Sequence, residues 1–179
     1  DIRISPEILA HLAEAYRRIR NTSRYLLGNL SDFDPAQDTV ADDRLLEIDR
    51  WALHRLQRLV QRVGKAYDDF EFHIVFHSVH NFCAVDMSAF YLDILKDRLY
   101  TAKASSPERR SGQTAMYRIL STLVRLMAPV LSFTADEVWA SMHDGKKQQS
   151  VFLSDFPKAE ERYIDDGLEA RWDKLLAVR

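Results

Sequence analysis

Apolar residues recur at intervals of three and four through the first thirty positions, which is the spacing of one face of an α-helix. That face carries Ile8, Leu12, Ala15, Ile19, Thr22 and Leu26. Ser5 and Pro6 predict where the helix begins, because serine caps free amides and proline has no amide to leave unpaired. Gly28 and Asn29 predict its end. The start of the chain is therefore predicted to be a long amphipathic helix, with its other face open to polar side chains.

The polar face of this helix is rich in arginine and carries Arg17, Arg20, Asn21 and Arg24. Three arginines at i, i+3 and i+7 repel one another unless an anion lies across them, and guanidinium groups make bidentate bonds to phosphate. The row is compatible with a helix that contacts nucleic acid. Taken alone it fits an ordinary solvated face better, with Glu14 pairing to Arg17 or Arg18, since most charge runs are only solvated.

Long helices are favoured elsewhere as well, because glycine and proline number only five each and turns are therefore few. Helical spacing predicts helices at about 42–67, 70–85, 87–100, 107–128, 133–142 and from about 165 onward. Asp86 is expected to cap the division before 87, Ser132 or Thr134 to cap the helix at 133, and Val151–Leu153 to be extended. The chain is predicted to be all-α, an antiparallel bundle of about five long helices. It is expected to form one domain, residues 1–179, with its core at about 5–142 and a truncated C-terminal extension at 143–179.

The second predicted helix adds another arginine row, Arg55, Arg58 and Arg62, which is interpreted as solvation and pairing within the helix. On its apolar side, Trp51 is expected to be a core aromatic with its indole N–H near a polar edge. Residues 31–49 are acidic, which makes that side of the molecule a poor place for a phosphate backbone.

The net charge of −2 excludes a protein that binds polyanions over its whole surface, so a nucleic-acid site would have to be a local patch. The single cysteine, Cys83, excludes an internal disulfide and favours a reducing compartment, the cytoplasm. No apolar run approaches the length of a membrane span, and residues 1–6 do not form a signal peptide. Because the chain starts without methionine and stops within a helical pattern, it is expected to be an excised fragment.

A candidate metal site is formed by His73, His77 and His80, with Cys83 three residues on, all on nearly one helical face. Imidazole and thiolate are zinc ligands, but the first and last of these positions lie ~15 Å apart along a straight helix. A tetrahedral ion would therefore need two of these side chains plus carboxylates from another helix. Buried or half-buried histidines in an aromatic face are the favoured interpretation.

Sequence signatures of an active site are absent: there is no phosphate-binding loop, dinucleotide fingerprint, nucleophile elbow or zinc-protease motif. An apolar setting is expected to raise the thiol pKa of Cys83, which argues against a nucleophilic cysteine. The pairs Asp68-Asp69 and Asp136-Glu137 lie at predicted helix ends, where carboxylates favour helix dipoles or solvent. Glu137 is expected to make a polar contact within the bundle. The sequence therefore predicts a non-catalytic domain.

A second basic segment presents Lys96, Arg98, Arg109, Arg110 and Gln113. If this segment adjoins the first helix, the two form one cationic surface on a slightly acidic domain, which is the signal of a local nucleic-acid site. The amides of Asn21 and Gln113 would then suit the base edges of RNA whose bases are splayed out.

Nine short motifs occur in order along the chain: DIRIS at 1–5, YRRIRNT at 16–22, LLGNL at 26–30, DRWAL at 49–53, NFC at 81–83, SAFYLD at 88–93, KDRLY at 96–100, RRSGQT at 109–114 and APV at 128–130. In this order they resemble the helical anticodon-binding domain of bacterial-type isoleucyl-tRNA synthetases, a class I family, over essentially the whole chain. The valyl, leucyl and methionyl relatives share the bundle, but their counterparts of RNT and KDRLY differ. Ser23, Tyr25 and Gly112 are mild departures from the family's pattern.

The resemblance implies a domain that grips the anticodon stem and loop of tRNA-Ile, while a catalytic domain of the same parent chain activates isoleucine with ATP. It implies RNA-contacting roles for Arg17, Arg20, Asn21, Arg24, Lys96, Arg98, Arg109, Arg110 and Gln113. The group Lys96-Asp97-Arg98 is alternatively a bridge from the first helix to its neighbour.

The family's ATP-binding motifs, its editing insertion and its zinc-binding C-terminal end are missing from residues 1–179. The resemblance thus implies that ATP with magnesium, and zinc, belong to the parent chain. The fragment itself is expected to bind tRNA as a monomer, without catalysis, metal or membrane. Three alternatives stay open: a valyl, leucyl or methionyl counterpart, a helical protein-interaction module with an exposed apolar patch, and a metal-dependent enzyme using His73, His77 and His80.

Overall fold

The computed structural model describes residues 4–177, so Asp1, Ile2 and Arg3 of the first motif and residues 178–179 of the last helical pattern lie outside the described residues. The α-helices are α1 (Pro6–Asn29), α2 (Glu47–Asp68), α3 (Phe72–Asn81), α4 (Leu92–Thr101), α5 (Pro107–Met127), α6 (Ser132–Ser141) and α7 (Asp166–Leu176). A π-helix, Phe82–Tyr91, joins α3 to α4, and 3-10 turns lie at Asp42–Arg44, Val151–Leu153 and Glu161–Tyr163. The described part of the chain contains no strand, which confirms the all-α prediction. None of its helices is long and apolar enough to cross a lipid bilayer.

Side-chain caps mark the beginnings of α1, α5 and α7, and the cap of α1 was predicted from the sequence. The Ser5 side chain accepts a hydrogen bond from the amide of Ile8 at 3.3 Å, and Pro6 is the first residue of α1. Ser106 caps α5 in the same way before Pro107. Asp165 caps α7 through the amide of Leu168. Each cap supplies a partner to an amide that the helix itself leaves unpaired.

The centre of the molecule is formed by α2 and α5, which pack on each other. Their shared core includes the fully buried side chains Leu53, Leu56, Ile119, Leu120 and Leu123. α1 packs on α3, the π-helix, α5 and α6, and α4 packs on α5. Burying one such leucine or isoleucine contributes roughly 1.5–3 kcal/mol, so this core holds the outer helices in fixed positions.

The C-terminal extension returns to the bundle along α2. The turn at Glu161–Tyr163 and helix α7 both contact α2. Tyr163 and Leu168 are buried there. The extension is thus held against the same helix that carries the second arginine row.

The first two turns of α1 correct one prediction. Ile8 and Leu12 were expected in the core but are 46% and 48% exposed, whereas Ala15, Ile19 and Leu26 are buried as expected. The described residues cover the apolar face at the start of α1 only in part, and Leu12 there borders a groove that Phe72 and Phe76 of α3 also line. The helical pattern was right, but periodicity alone does not show how far a covering neighbour reaches.

The helix predicted at 42–67 is interrupted near Leu46, whose backbone amide donates to the Ser111 hydroxyl at 2.9 Å. Asp86 is not a cap, because the chain stays helical from α3 through the π-helix into α4, and neither glycine nor proline occurs in 72–101. Val151–Leu153 is a 3-10 turn rather than an extended piece.

The expected caps of α6 and the expected setting of Trp51 were also wrong in part. Ser132 lies inside α6, where its hydroxyl donates to the Ala128 carbonyl, and the Thr134 hydroxyl bonds to Tyr16. Trp51 is buried in the core as predicted, but its indole N–H has no hydrogen-bond partner within the described residues.

Candidate nucleic-acid interface

The arginine row of α1 lies on the surface of the bundle. Arg17, Arg20, Asn21 and Arg24 are all exposed. Ala15, Ile19, Thr22, Ser23 and Leu26 are buried on the opposite side of the same helix. The hydroxyls of Thr22 and Ser23 donate hydrogen bonds to the backbone carbonyls of Arg18 and Ile19. The row is therefore displayed by a helix whose back is fixed in the core.

Two members of the row keep their polar groups free, and a third is held only by its own helix. Arg24 and Asn21 form no side-chain hydrogen bond or ion pair within residues 4–177. Arg17 donates to Glu14 at 2.7 Å, and this pair, three residues apart, is well exposed. Exposed pairs of this kind contribute little to stability, so an anion can compete for Arg17 at small cost.

Arg20 is bound to a second helix. Its two terminal nitrogens donate to the two carboxylate oxygens of Glu137 in α6, at 3.0 and 3.1 Å. The Glu137 pKa lies below its usual range because of the hydrogen bond and the charge of Arg20. This contact confirms the polar bundle role predicted for Glu137. A phosphate would have to displace or share this carboxylate to reach Arg20.

Lys96 also lies on the surface and pairs with Asp93, three residues away in the same helix, at 2.9 Å. Tyr25 of α1 lies beside Asp93 and Tyr100, and its pKa is raised by burial, then by the neighbouring Tyr100 hydroxyl and the Asp93 charge. The α1 face and the start of α4 therefore adjoin, and the structure brings Lys96 to the same region as Arg24.

Arg109, Arg110 and Gln113 are engaged inside the protein. Arg109 forms a two-bond ion pair with the Asp32 carboxylate, at 2.6 and 3.0 Å. Gln113 is 0% exposed, and its amide nitrogen donates to Asp32 and to the Asn29 carbonyl at 2.8 and 2.9 Å. Arg110 donates to the Asp32 carbonyl and to the Gln113 oxygen, at 2.9 and 2.8 Å. We call Asp32, Arg109, Arg110 and Gln113 the Asp32 cluster.

The Asp32 cluster fastens the start of α5 to the end of α1. The hydrogen bond from Arg109 holds the pKa of Asp32 below its usual range, against the opposing effect of burial. An RNA contact from the Gln113 amide would require that amide to leave Asp32. The acidic loop, expected to repel phosphate, instead supplies the partner of two predicted RNA-contacting arginines.

Arg98 is bound to a carboxylate in the middle of the molecule. Asp49 is fully buried and accepts two hydrogen bonds from Arg98, at 3.0 and 2.8 Å. The hydroxyls of Tyr91 and Ser111 donate to the same carboxylate at 2.8 and 2.6 Å. We call these four residues the Asp49 cluster. Arg98 thus joins α4 to α2, and not to the first helix as the alternative interpretation proposed.

Arg55 and Arg58 of the second arginine row make tertiary contacts, which corrects the expectation for these two residues. Arg58 also donates to Gln61 of its own helix, and Arg62 is exposed to solvent, as the interpretation expected. Arg55 donates to Asp86 at 3.2 Å and to Glu169 of α7 at 2.6 Å. Arg58 pairs with Asp166 of α7. Sequence reasoning missed these contacts, since all three carboxylates are remote in sequence from the arginines. The sequence offered one indication of these contacts: Asp166 and Glu169 are three residues apart, a spacing that places both carboxylates on one side of a helix.

Metal-ligating side chains converge at a different place from the histidine candidate of the sequence. His73 and His77 are exposed, which corrects the favoured interpretation of buried or half-buried histidines for these two residues. In residues 4–177 the group within reach of a single ion is His54, Asp166 and Glu169, and it includes none of His73, His77, His80 and Cys83. The His54 Nδ1 accepts from the Asp165 amide at 2.9 Å, and its Nε2 lies 3.1 Å from Glu169. With the His54 Nδ1 occupied by the Asp165 amide and both carboxylates paired to arginine, this group is poorly suited to a metal.

Burial raises the pKa of the Cys83 thiol to about 12. The thiol thus stays protonated at neutral pH, as the apolar setting predicted, and is a poor nucleophile.

Comparison with known proteins finds similarity to one domain of tRNA ligases. A family model described as the anticodon-binding domain of tRNA ligase matches residues 49–179. The isoleucine–tRNA ligases of Syntrophotalea carbinolica and Geobacter sulfurreducens are 62% and 58% identical over all 179 residues, and the chain spans 19% of the length of each.

A solved structure shares the fold. The LeuRS of Agrobacterium radiobacter, in a ternary complex with tRNA and LeuAMS, matches with a TM-score of 0.63 at 20% identity. The match covers 92% of this chain and 18% of that one. At this identity the likeness establishes a common helical architecture and nothing finer.

Proposed function

The chain belongs to the anticodon-binding domains of tRNA ligases, and on that premise we propose that it binds tRNA-Ile as one part of an isoleucine–tRNA ligase. The support is the 62% identity to an isoleucine–tRNA ligase over the whole chain. Aminoacylation itself would take place in another part of a polypeptide about five times as long, and ATP with magnesium, and zinc, would bind there. We propose that this protein acts as a monomer in the cytoplasm.

The exposed arginine row of α1 is the observation that carries the proposed RNA surface. Arg17 and Arg24 present guanidinium groups to solvent, and Asn21 presents an amide between them. Lys96 of α4 pairs with Asp93, which lies beside Tyr25 of α1. Such groups suit a phosphate backbone and one base edge. The buried back of α1 keeps the row from rearranging, which reduces the entropy lost on binding.

In this proposal, the main role of four predicted RNA-contacting residues is to position the helices: Arg98, Arg109, Arg110 and Gln113. The Asp32 cluster fixes the end of α1 against α5, and the Asp49 cluster fixes α4 against α2. Direct RNA contacts from these four residues stay a prediction, since each contact would release a carboxylate from its present partner.

A fluorescence titration of the 179-residue chain with tRNA-Ile tests the surface. Replacing Arg17, Arg20 and Arg24 with Ala should weaken binding about tenfold, since charge-assisted bonds are lost at a solvent-exposed site. The salt slope should fall by about 0.7–0.9 for each lost phosphate contact. A matched triple variant, with Ala at the exposed positions Arg44, Arg50 and Arg171, should bind as the unchanged chain does.

Equal loss in the two triple variants would show that only net charge matters and would overturn the assigned surface. Titration with a tRNA of changed anticodon separates recognition of the anticodon from binding of the backbone. Equal affinity for both tRNAs would remove the anticodon part of the proposal and leave general RNA binding.

A second surface favours contact with protein. An apolar groove of about 290 Å³ lies between α1, α3 and the α5–α6 turn, lined by Leu12, Phe72, Phe76 and Val130 among others. Ile8, Leu9 and Phe133 are exposed on the neighbouring turns, Phe133 by 94%. Exposed apolar surface of this kind marks contact sites. We propose that the catalytic part of the longer polypeptide covers it.

Hydrogen exchange distinguishes this contact from a merely exposed surface. Amides of residues 8–12 and 72–76 should exchange more slowly in the longer polypeptide than in the 179-residue chain, while those of 17–24 should not change. Equal exchange at 8–12 in both would contradict the proposed contact without affecting the RNA surface.

A further inference from the structure

A groove of about 490 Å³ lies on the molecule between α2, α3, the π-helix and α7. One wall carries Arg55, Arg58 and Arg62 of α2, and the other carries residues 77–82. No residue of α1 lines it. The groove therefore belongs to a different part of the surface from the arginine row proposed to bind RNA.

The two ends of this groove differ in how their charges are matched. At the α7 end, Arg55 is paired with Asp86 and Glu169, and Arg58 is paired with Asp166. Positive and negative charges there compensate each other, and the donors of Arg55 are used. This end offers little to an added anion.

The other end holds hydrogen-bond donors without partners. Arg62, His77 and Asn81 line the groove, and none of them forms a hydrogen bond or ion pair within the described residues. His77 and Asn81 are four residues apart on α3, so their side chains lie on one side of that helix. Arg62 lies one turn beyond Arg58 on α2 and is the one arginine of the groove with no carboxylate partner in residues 4–177.

Ser78 gives an independent indication of a ligand. Its side chain lines the same groove and is only 9% exposed, yet its hydroxyl has no hydrogen-bond partner among the described residues. Buried hydroxyls are nearly always bonded, because leaving one without a partner is costly. The hydroxyl belongs to the residue after His77 and is itself buried, so it would bond to an acceptor in the groove once the Ser78 side chain turned outward.

We propose that this end of the groove binds a phosphate group, held by Arg62, His77, Ser78 and Asn81. A phosphate offers several acceptor oxygens and negative charge, which matches one guanidinium and three neutral or weakly basic donors. The group can come from a nucleotide or from the backbone of an RNA. The site is independent of RNA binding by α1, so the triple Ala variant of the α1 row should keep it.

Titration of the 179-residue chain with inorganic phosphate, followed by NMR at constant ionic strength, tests the proposal. We expect saturable shifts at the His77 imidazole, the Arg62 side chain and the backbone amides of 77–81. Arg62→Gln should weaken binding roughly tenfold, as expected for loss of a charge-assisted hydrogen bond. Arg50→Gln removes the same charge from an exposed position on the same helix outside the groove and should leave binding unchanged.

Ser78→Ala removes the hydroxyl without changing charge and should weaken phosphate binding severalfold in a chain whose circular dichroism is unaltered. Absence of saturable shifts, or equal weakening by Arg62→Gln and Arg50→Gln, would overturn the site.

Titrations with AMP and with a short RNA lacking terminal phosphates identify the source of the group. Tighter binding of AMP assigns the site to a nucleotide, and tighter binding of the RNA assigns it to a backbone. Shifts confined to residues 17–24 in both titrations would contradict the proposal.

Discussion

The arginines of α1 and those around Asp32 and Asp49 have the same chemistry but opposite surroundings. Arg17 and Arg24 face solvent, whereas Arg98 and Arg109 each hold a carboxylate by two hydrogen bonds. The carboxylates that distinguish them lie 49 and 77 positions away in the sequence. An arginine is thus most readily available to RNA where the fold brings no buried acid to it, and spacing along the chain does not show this.

The largest expected effect concerns the arginines that are bound to carboxylates within the fold. Asp49→Ala removes the acceptor of Arg98, Tyr91 and Ser111 and leaves a guanidinium without its partner in a partly buried site. We expect a loss of about 3–5 kcal/mol in the free energy of unfolding, because breaking a buried pair from one side is strongly destabilising. Urea denaturation measures it.

Glu14→Ala is the matched control for that experiment, since Glu14 pairs with Arg17 on the exposed face. Its free energy of unfolding should change by no more than about 0.5 kcal/mol. Similar losses of unfolding free energy in the two variants would show that Arg98, bound to a buried carboxylate, and Arg17, on the exposed face, do not differ in their structural role.

A smaller effect is expected at Asp32, whose carboxyl is partly exposed. Its folded-state pKa is held below the unfolded value by Arg109, so its contribution is present above about pH 4 and disappears as pH falls through the folded pKa. Asp32→Asn should lower stability at pH 7, and the difference from the unchanged chain should shrink as the pH is lowered below 4. Thermal unfolding across that range measures it, and a difference that does not vary with pH would contradict the role of the charge.

The smallest expected effect is on tRNA affinity and concerns the exposed arginines of α1. Glu137→Gln removes the charge that holds Arg20 while keeping similar shape and exposure. The tRNA-Ile affinity should rise by a few fold, because the phosphate no longer competes with a carboxylate. A titration at low salt measures it, with Glu14→Gln as the comparison at Arg17. Weaker binding in Glu137→Gln would mean that the ion pair orients Arg20 for RNA.

Local chemistry made the helices predictable. Ser5 and Pro6 begin α1, and Ser106 and Pro107 begin α5, through contacts within four residues. The inward face of α5 was also predictable, because Met116, Ile119, Leu120 and Leu123 are buried at helical spacing. The family resemblance then placed these helices in one known bundle.

Tertiary partners made the rest unpredictable. Gln113 was predicted to lie on the surface because its sequence neighbours are basic. It is buried instead, and its amide donates to Asp32 of the acidic loop. Asp86 has the features of a helix cap, but Arg55 binds it while the helix continues. Ile8 and Leu12 repeat like core residues, yet their described neighbours leave each about half exposed. Each error concerns which distant segment meets a residue, which local spacing does not specify.

The Asp49 cluster has a consequence for the order in which the protein folds. Its donors come from the π-helix, α4 and α5, at sequence separations of 42, 49 and 62. We expect the carboxylate to keep its water until all three segments have docked, and its bonds to form after the folding barrier. Substitutions at Asp49 should then accelerate unfolding far more than they slow refolding. The bonds of Asp49 would then set the unfolding rate, and so the lifetime, of the native domain.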